Sequence, residues 1–381
     1  MYLDTPEGLK GFIDRTAHST VLAIDTEFIR ERTYYPKLCL IQMATESMRA
    51  IIDPLAINDL SPLVTLLKNP SIVKVFHAGD QDCAILYNAL GIVPTPLFDT
   101  QHAASLLNTS QQTGLVNLVR HYCGVHLDKR DTFTDWLRRP LSAPQIEYAL
   151  ADVAYLPQIY HKMVKRLEQL GRLSWLDDDF ERMSNEENYQ VDMSKIWHKV
   201  KGAQSLSSRK LMLLQTLAVW RERIAQGKDY PRRWVISDEQ LLEIVKREPQ
   251  SISDLLEIRG LREKLGKFWA EELLSELKKA QAIPEELWPK REHGVPKTTE
   301  HVASLDLMMA IVRLRADENC ITPTMLATRS DLVRLAVGDT EELPVLVGWR
   351  REIVGLELLE LLAGRLSLHL KEGELRVSKI V

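Results

Sequence analysis

With 381 residues, 45% of them hydrophobic and 27% charged, the chain has the composition of a soluble globular protein and room for two or three domains. The net charge of −4 gives no whole-chain sign of nucleic-acid binding; only residues 201–291 are basic, with 18 Lys and Arg against 14 Asp and Glu, while residues 1–200 carry 20 against 25. Four cysteines with no C-x-x-C pair argue against a zinc site or disulfide framework, and no apolar stretch is long enough to span a membrane.

The first 170 residues alternate two kinds of pattern. Short apolar runs at Val21–Ile24, Leu38–Met43, Ala50–Ile52 and Ile72–Phe76 read as strands buried on both faces. Between and after them, Pro62–Leu67, Asp82–Leu90, Leu115–Tyr122 and a long segment from Pro144 to Leu170 read as helices, the last started by Pro144 and stopped by Gly171. Such an order predicts an α/β domain with a mixed sheet over 1–175. Residues 176–207 are polar, with little sustained periodicity, and read as a linker. Beyond them the periodicity is helical throughout, at Leu211–Ile224, Asp238–Arg247, Ile252–Ile258 and Leu261–Ala280. Ala218, Arg221, Arg223 and Pro231 recur at an offset of 92 as Ala310, Arg313, Arg315 and Pro323. Two all-α modules, 208–285 and 301–381, separated by a second linker at 286–300, account for the repeat.

Chemistry is suggested by four carboxylates. Asp25 and Glu27 sit two apart at the end of a buried run, so in a strand both point to one face. Two anions side by side are costly unless a cation joins them, although one of the pair capping the next segment is a plainer alternative. Asp82 follows His77-Ala78-Gly79 at the start of a helix, where Asp80 fits the capping role better and leaves Asp82 to point elsewhere. Tyr148 and Asp152, four apart, share one helix face among alanines and leucines, unless Asp152 faces solvent. Together, oxygen ligands without Cys or His suit hard cations such as Mg²⁺ or Mn²⁺. Two such ions can activate a water and stabilise a leaving oxygen at phosphorus, with Tyr148 placed to orient the water.

The order Asp25-x-Glu27, His77-x-x-x-x-Asp82 and Tyr148-x-x-x-Asp152 resembles the three exonuclease motifs of the DEDD superfamily, with tyrosine at position 148 marking the DEDDy branch. Asp25-Thr26-Glu27-Phe28, Tyr34-Tyr35-Pro36, Leu40-Ile41-Gln42, Ile52-Asp53-Pro54, His77-Ala78-Gly79 and Thr134-Asp135-Trp136-Leu137 are similar to the ribonuclease D family, and the helical modules resemble its HRDC domains. The second module is the more divergent. The resemblance implies a ribonuclease H-like fold followed by two HRDC-like domains, and two-metal hydrolysis that releases nucleoside 5′-monophosphates from RNA 3′ ends. It also implies that Asp25, Glu27 and Asp152 hold one ion, and that Asp25 bridges to a second supported by Asp82. Precursors of tRNA and other small structured RNAs are the expected substrates, and a cytoplasmic monomer is the expected state.

Thr26, Phe28, His77 and Lys129 are candidate substrate contacts: Phe28 can stack on a terminal base or belong to the core, and His77 can meet the terminal nucleotide or serve structure. Arg232-Arg233-Trp234 offers phosphate-pairing cations beside an aromatic surface. Two other functions remain open to the sequence. A DNA exonuclease of the same superfamily lacks support from any polymerase or helicase motif, and a non-catalytic RNA- or protein-binding module is at odds with the complete acidic set.

Overall fold

The computed structural model describes residues 1–107, 113–127, 134–289 and 302–380. The N-terminal part is built on a six-stranded mixed sheet in the order β1-β4-β3-β2-β5-β6, formed by β1 (Tyr2–Leu3), β2 (Val21–Ile29), β3 (Lys37–Ala44), β4 (Arg49–Ile52), β5 (Val73–Phe76) and β6 (Leu97–Asp99). Strand β2 runs parallel to β5 and β5 to β6, β1 is parallel to β4, and β3 is antiparallel to β4. The buried runs Val21–Ile24 and Leu38–Met43 form the middle of the sheet. The edge strands β1 and β6 were not expected, because two or three residues carry no measurable period.

Helices follow the order α1 (Pro6–Thr16), α2 (Ser61–Leu67), α3 (Asp80–Leu90), α4 (Thr100–Ser105), α5 (Leu115–Cys123), α6 (Ala143–Ala154) and α7 (Leu156–Gln169). The single helix expected over 144–170 is in fact two. Pro157 has no N–H to donate and its ring crowds the carbonyl four residues back, so the chain turns at Tyr155 and restarts. The start of α6 is as read: Pro144 lies in its first turn and Ser142 and Gln145 form a capping box.

After a short 3₁₀ turn, α8 (Asp177–Ser184) leads into further 3₁₀ turns and then α9 (Ser208–Gly227), α10 (Arg232–Val235), α11 (Asp238–Arg247), α12 (Ile252–Leu256) and α13 (Lys267–Gln281). The long-short-medium order of α9, α10 and α11 recurs in α14 (Val302–Glu318), α15 (Pro323–Leu326) and α16 (Arg329–Ala336), in agreement with the offset repeat. Gly260 and Gly348 both adopt positive φ. The chain then forms α17 (Gly348–Arg350), a π-helical stretch Arg351–Gly355 and α18 (Leu356–Leu362). A side chain at position 355 would meet the Val345 carbonyl oxygen at 2.2 Å, so the close approach of these segments requires glycine.

The all-α expectation for residues 301–381 is overturned at its end. Leu366–Lys371 and Glu374–Lys379 pair as an antiparallel hairpin, β7 and β8. Its turn residues Glu372 and Gly373 both take positive φ, the geometry a two-residue hairpin turn needs, and Leu366, Leu368 and Leu370 alternate with polar residues at the period of a strand.

The described residues gather into two compact units. One holds Met1–Glu27, Leu38–Glu186 and the described part of Val295–Val381; the other holds Phe28–Lys37 and the described part of Glu187–Gly294. In the first unit, Leu305, Met308, Ile311 and Val312 of α14 share a continuous core with Phe98, Ile159 and Met163. Thr322 N–H donates to the Ser105 carbonyl at 2.9 Å, and the Trp175 and Trp349 rings stack with centroids 4.4 Å apart. In the second unit, Trp220, Leu217 and Leu241 form a separate core that includes Tyr34.

Candidate active site

Strand β2 delivers Asp25 and Glu27, α3 delivers Asp82 in its first turn, and α6 delivers Tyr148 and Asp152. Asp25, Glu27 and Asp152 each offer an oxygen, and the three oxygens lie within 4.8 Å of one another. Asp82 stands near enough to raise the pKa of both Asp25 and Glu27 by repulsion. Its carboxylate accepts a hydrogen bond from the Thr26 hydroxyl. The Tyr148 hydroxyl donates to Asp152. Trp136, itself buried, lies against the Tyr148 ring with centroids 6.1 Å apart, which confines the phenol to this side of α6.

Electrostatically the group is unbalanced. Burial, followed by the charges of Asp82, Asp152 and Glu27, lifts Asp25 well above the usual carboxylate range. Burial and the charges of Asp152 and Asp82 bring Glu27 to about 8. Burial raises Asp82 to about 6 against the opposing Thr26 hydrogen bonds, and Asp152 to about 6 against the Tyr148 hydrogen bond. Burial and then the neighbouring carboxylates also push up the Tyr148 phenol. Among the described residues no Lys, Arg or His forms an ion pair with any of the four. A cluster of acidic oxygens that repel one another in a partly buried site, without a side-chain cation, is a donor set that fits divalent hard ions. Tetrahedral Cys/His chemistry has no representatives here.

Elsewhere in the site the expectations divide. Thr26 is buried and its hydroxyl is engaged with Asp82; Phe28, next in β2, is half-buried. His77 is held by Thr100, whose hydroxyl lies 2.9 Å from Nδ1 and donates to the Phe76 carbonyl. Burial lowers the His77 pKa, so the neutral ring is favoured. Lys129 and its neighbour Arg130 lie outside the described residues. Asp80 is not the cap of α3: Gly79 occupies that position, and Asp80 is exposed in the first helical turn. A Cβ at Gly79 would come within 2.4 Å of Phe76, so the sharp strand-to-helix turn admits only glycine.

Sequence reasoning passed over Asp99. It is fully buried at the end of β6, accepts from Gly79 N–H at 2.7 Å and from the Gln101 and His102 N–H groups, and so ties α4 to the turn that presents Asp82. An aspartate closing the apolar run Leu97-Phe98 just before a helix was the available signal.

Comparison with known proteins agrees with this geometry. Residues 1–168 match the 3′-5′ exonuclease family and residues 210–277 the HRDC domain family. The chain is 41% identical to ribonuclease D of Sphingobium indicum, over 97% of its own length and 96% of that protein's. The chain belongs to the ribonuclease D family. Ribonuclease D of Gluconacetobacter diazotrophicus is 38% identical over 96% of this chain and 93% of its own. The crystal structure of Escherichia coli RNase D, an exoribonuclease involved in structured RNA processing, superposes with a TM-score of 0.84 at 32% identity, covering 96% of this chain and 98% of that one. Family membership thus rests on both sequence and fold, and the fold shown is an exonuclease domain with a mixed sheet plus an HRDC domain.

Proposed function

We propose that this 3′→5′ exoribonuclease of the ribonuclease D family hydrolyses RNA one nucleotide at a time with two divalent ions, Mg²⁺ or Mn²⁺, held by Asp25, Glu27, Asp82 and Asp152. The observation that carries the reading is the convergence of the Asp25, Glu27 and Asp152 oxygens within 4.8 Å, lacking any side-chain counter-charge among the described residues. Asp25, Glu27 and Asp152 would hold one ion, and Asp25 with Asp82 would hold the second. When bound, such ions lower the pKa of a water and neutralise charge on the leaving oxygen. The chain's own contribution is placement. Tyr148, braced by Trp136, holds the attacking water by its hydroxyl, and the Thr26–Asp82 hydrogen bond fixes the aspartate's orientation. The water oxygen bonds to phosphorus as the bond to the 3′ oxygen of the preceding ribose breaks, releasing a nucleoside 5′-monophosphate. Thr26, Phe28, His77 and Lys129 are the proposed contacts to the terminal nucleotide, Thr26 through its backbone because its hydroxyl is engaged.

The processing of structured RNA by the Escherichia coli relative, and the family's association with tRNA precursors, support the same substrates here. We assign 1–175 to the exonuclease domain, 208–285 to the HRDC domain and 301–381 to a second HRDC-like domain, with linkers at 176–207 and 286–300. The recurring helix order supports that second module. No helix among the described residues is long and apolar enough to cross a membrane. The four cysteines form no disulfide, which fits the reducing cytoplasm we propose for a monomeric protein. The test is direct: with Mn²⁺ the protein should convert a 5′-labelled RNA into a ladder of shortened products and mononucleotides. An Asp25→Asn variant that retained this activity would overturn the assignment.

A further inference from the structure

In the second compact unit, a cavity of about 690 Å³ is lined by Phe28–Lys37 chain at Arg30–Tyr34, by the 3₁₀ region at Ile196–Lys201 and by the residues around α10. Six of its lining residues are Lys or Arg, but two are already engaged. Arg221 pairs with Asp238 at 2.8 Å, and Arg232 pairs with the fully buried Glu222 while lying over the Tyr34 ring. Arg30, Lys199, Lys201 and Arg233 are exposed and form no ion pair among the described residues. They outnumber the remaining acidic lining residues, Glu31 and Glu239, two to one. Tyr230 and Trp234 flank Pro231–Arg233 in sequence; both are exposed, at 42% and 44%, and their rings form a tilted pair with centroids 6.0 Å apart.

We propose that this cavity is a second RNA-binding site, in which Arg30, Lys199, Lys201 and Arg233 hold backbone phosphates of single-stranded substrate and Trp234 with Tyr230 stacks a base. Like charges gathered around a concavity repel one another, and a polyanion relieves that repulsion while releasing its own counterions. Exposed aromatic faces beside a cationic groove are the general arrangement for holding single strands without regard to sequence. Arg232, which the sequence offered as a phosphate ligand, is instead the internal brace that orients this rim through Glu222 and Tyr34. The site rests on the exoribonuclease reading for the nature of its ligand, since that substrate is a polyanion with free bases.

The test uses the full-length protein with Lys199→Gln, Lys201→Gln and Arg233→Gln combined, and separately Trp234→Ala. Hydrolysis is compared on a long oligouridylate and on the dinucleotide pUpU, and binding of the labelled oligomer is followed by anisotropy in EDTA. The triple variant should raise the KM for the oligomer about tenfold and make the log-log salt dependence of binding shallower by about two. Its hydrolysis of pUpU should be unchanged, which also shows that the variant folds. Trp234→Ala should weaken oligomer binding about fivefold with little change in salt slope, the signature of lost stacking. Oligomer affinity and slope equal to wild type in both variants would overturn the proposal and leave the basic rim to an acidic protein partner. An equal loss on pUpU would also overturn it, because the residues would then serve the fold or the catalytic site. Failure of the wild type to cleave either RNA refutes the exoribonuclease reading instead, while the anisotropy still reads the cavity.

Discussion

Carboxylates are buried in both compact units, and they are treated in opposite ways. In the second unit Glu222 is wholly inaccessible, yet it accepts two hydrogen bonds from Arg232 and one from the Tyr34 hydroxyl. In the first unit, Asp53 is likewise buried and is met by Arg139 and the Tyr2 hydroxyl, which hold its pKa below the usual value although burial opposes them. The Asp25 group, in the same unit as Asp53, has other carboxylates where those residues have cations. Burial by itself therefore says little about function. What distinguishes an active-site acid from a structural one is whether the protein supplies the opposite charge or leaves that to an exogenous ion.

The comparison is tested most severely at Asp25. Asp25→Asn should reduce RNA hydrolysis by about a thousandfold or more, since several kcal/mol of transition-state stabilisation is lost with the ions. The same substitution should leave the metal-free protein at least as stable in thermal unfolding, because it removes an uncompensated charge. A lowered thermal midpoint would show that the cluster is structural after all.

Arg232→Ala should do the reverse. It strands the Glu222 carboxylate in an apolar core and should cost about 3 kcal/mol of stability in denaturant titration, with pUpU hydrolysis retained at temperatures where the protein is folded.

A smaller change, Tyr148→Phe, keeps the packing against Trp136 and removes only the hydroxyl. Turnover should fall by about a hundredfold while Mn²⁺ affinity, read by calorimetry, stays near wild type. A parallel loss of metal affinity would make Tyr148 a positioning residue for Asp152.

The mildest test is pH. Glu27 at about 8 and Asp82 and Asp152 at about 6 all bind protons more tightly in the folded, metal-free protein than in the unfolded chain. Between about pH 5 and 8 the folded state then holds the extra protons, so metal-free stability should decline as pH rises through that window. Asp53 has the opposite sign: its depressed folded value adds stability above the ordinary carboxylate pKa that is lost only on acidification through the lower folded pKa. Adding Mg²⁺ should raise the thermal midpoint more at pH 8 than at pH 6, because protons compete for the same oxygens. Equal shifts at the two pH values would place the ions elsewhere.

Much of this was legible in the residues themselves. The DxE pair at the end of a buried run, the i, i+4 spacing of Tyr148 and Asp152, the start of α6 at Pro144 and the run of helices after 208 are local facts, set along a single segment by periods of two and 3.6 residues and by proline's place in a first turn. Family resemblance covered nearly the whole chain for the same reason. Local pattern misjudged the helix over 144–170, where Pro157 was weighed too lightly, and the terminal hairpin, where two six-residue strands were subsumed into a helical module.

Tertiary structure alone decided who meets whom. Thr26 and Asp82 lie 56 residues apart, Tyr34 and Glu222 188 apart, and Asp99 reaches back 20 residues to Gly79. Tyr34 was visible as part of a family-like segment, but not as a core residue of the helical unit. Nor could spacing tell that Arg232 is internally neutralised while Arg233, its neighbour, is free to face solvent. Each of these depends on long-range closure of the chain, in which a polar group's role is fixed by the partner that folding brings within hydrogen-bond reach, and no period along the sequence encodes that partner.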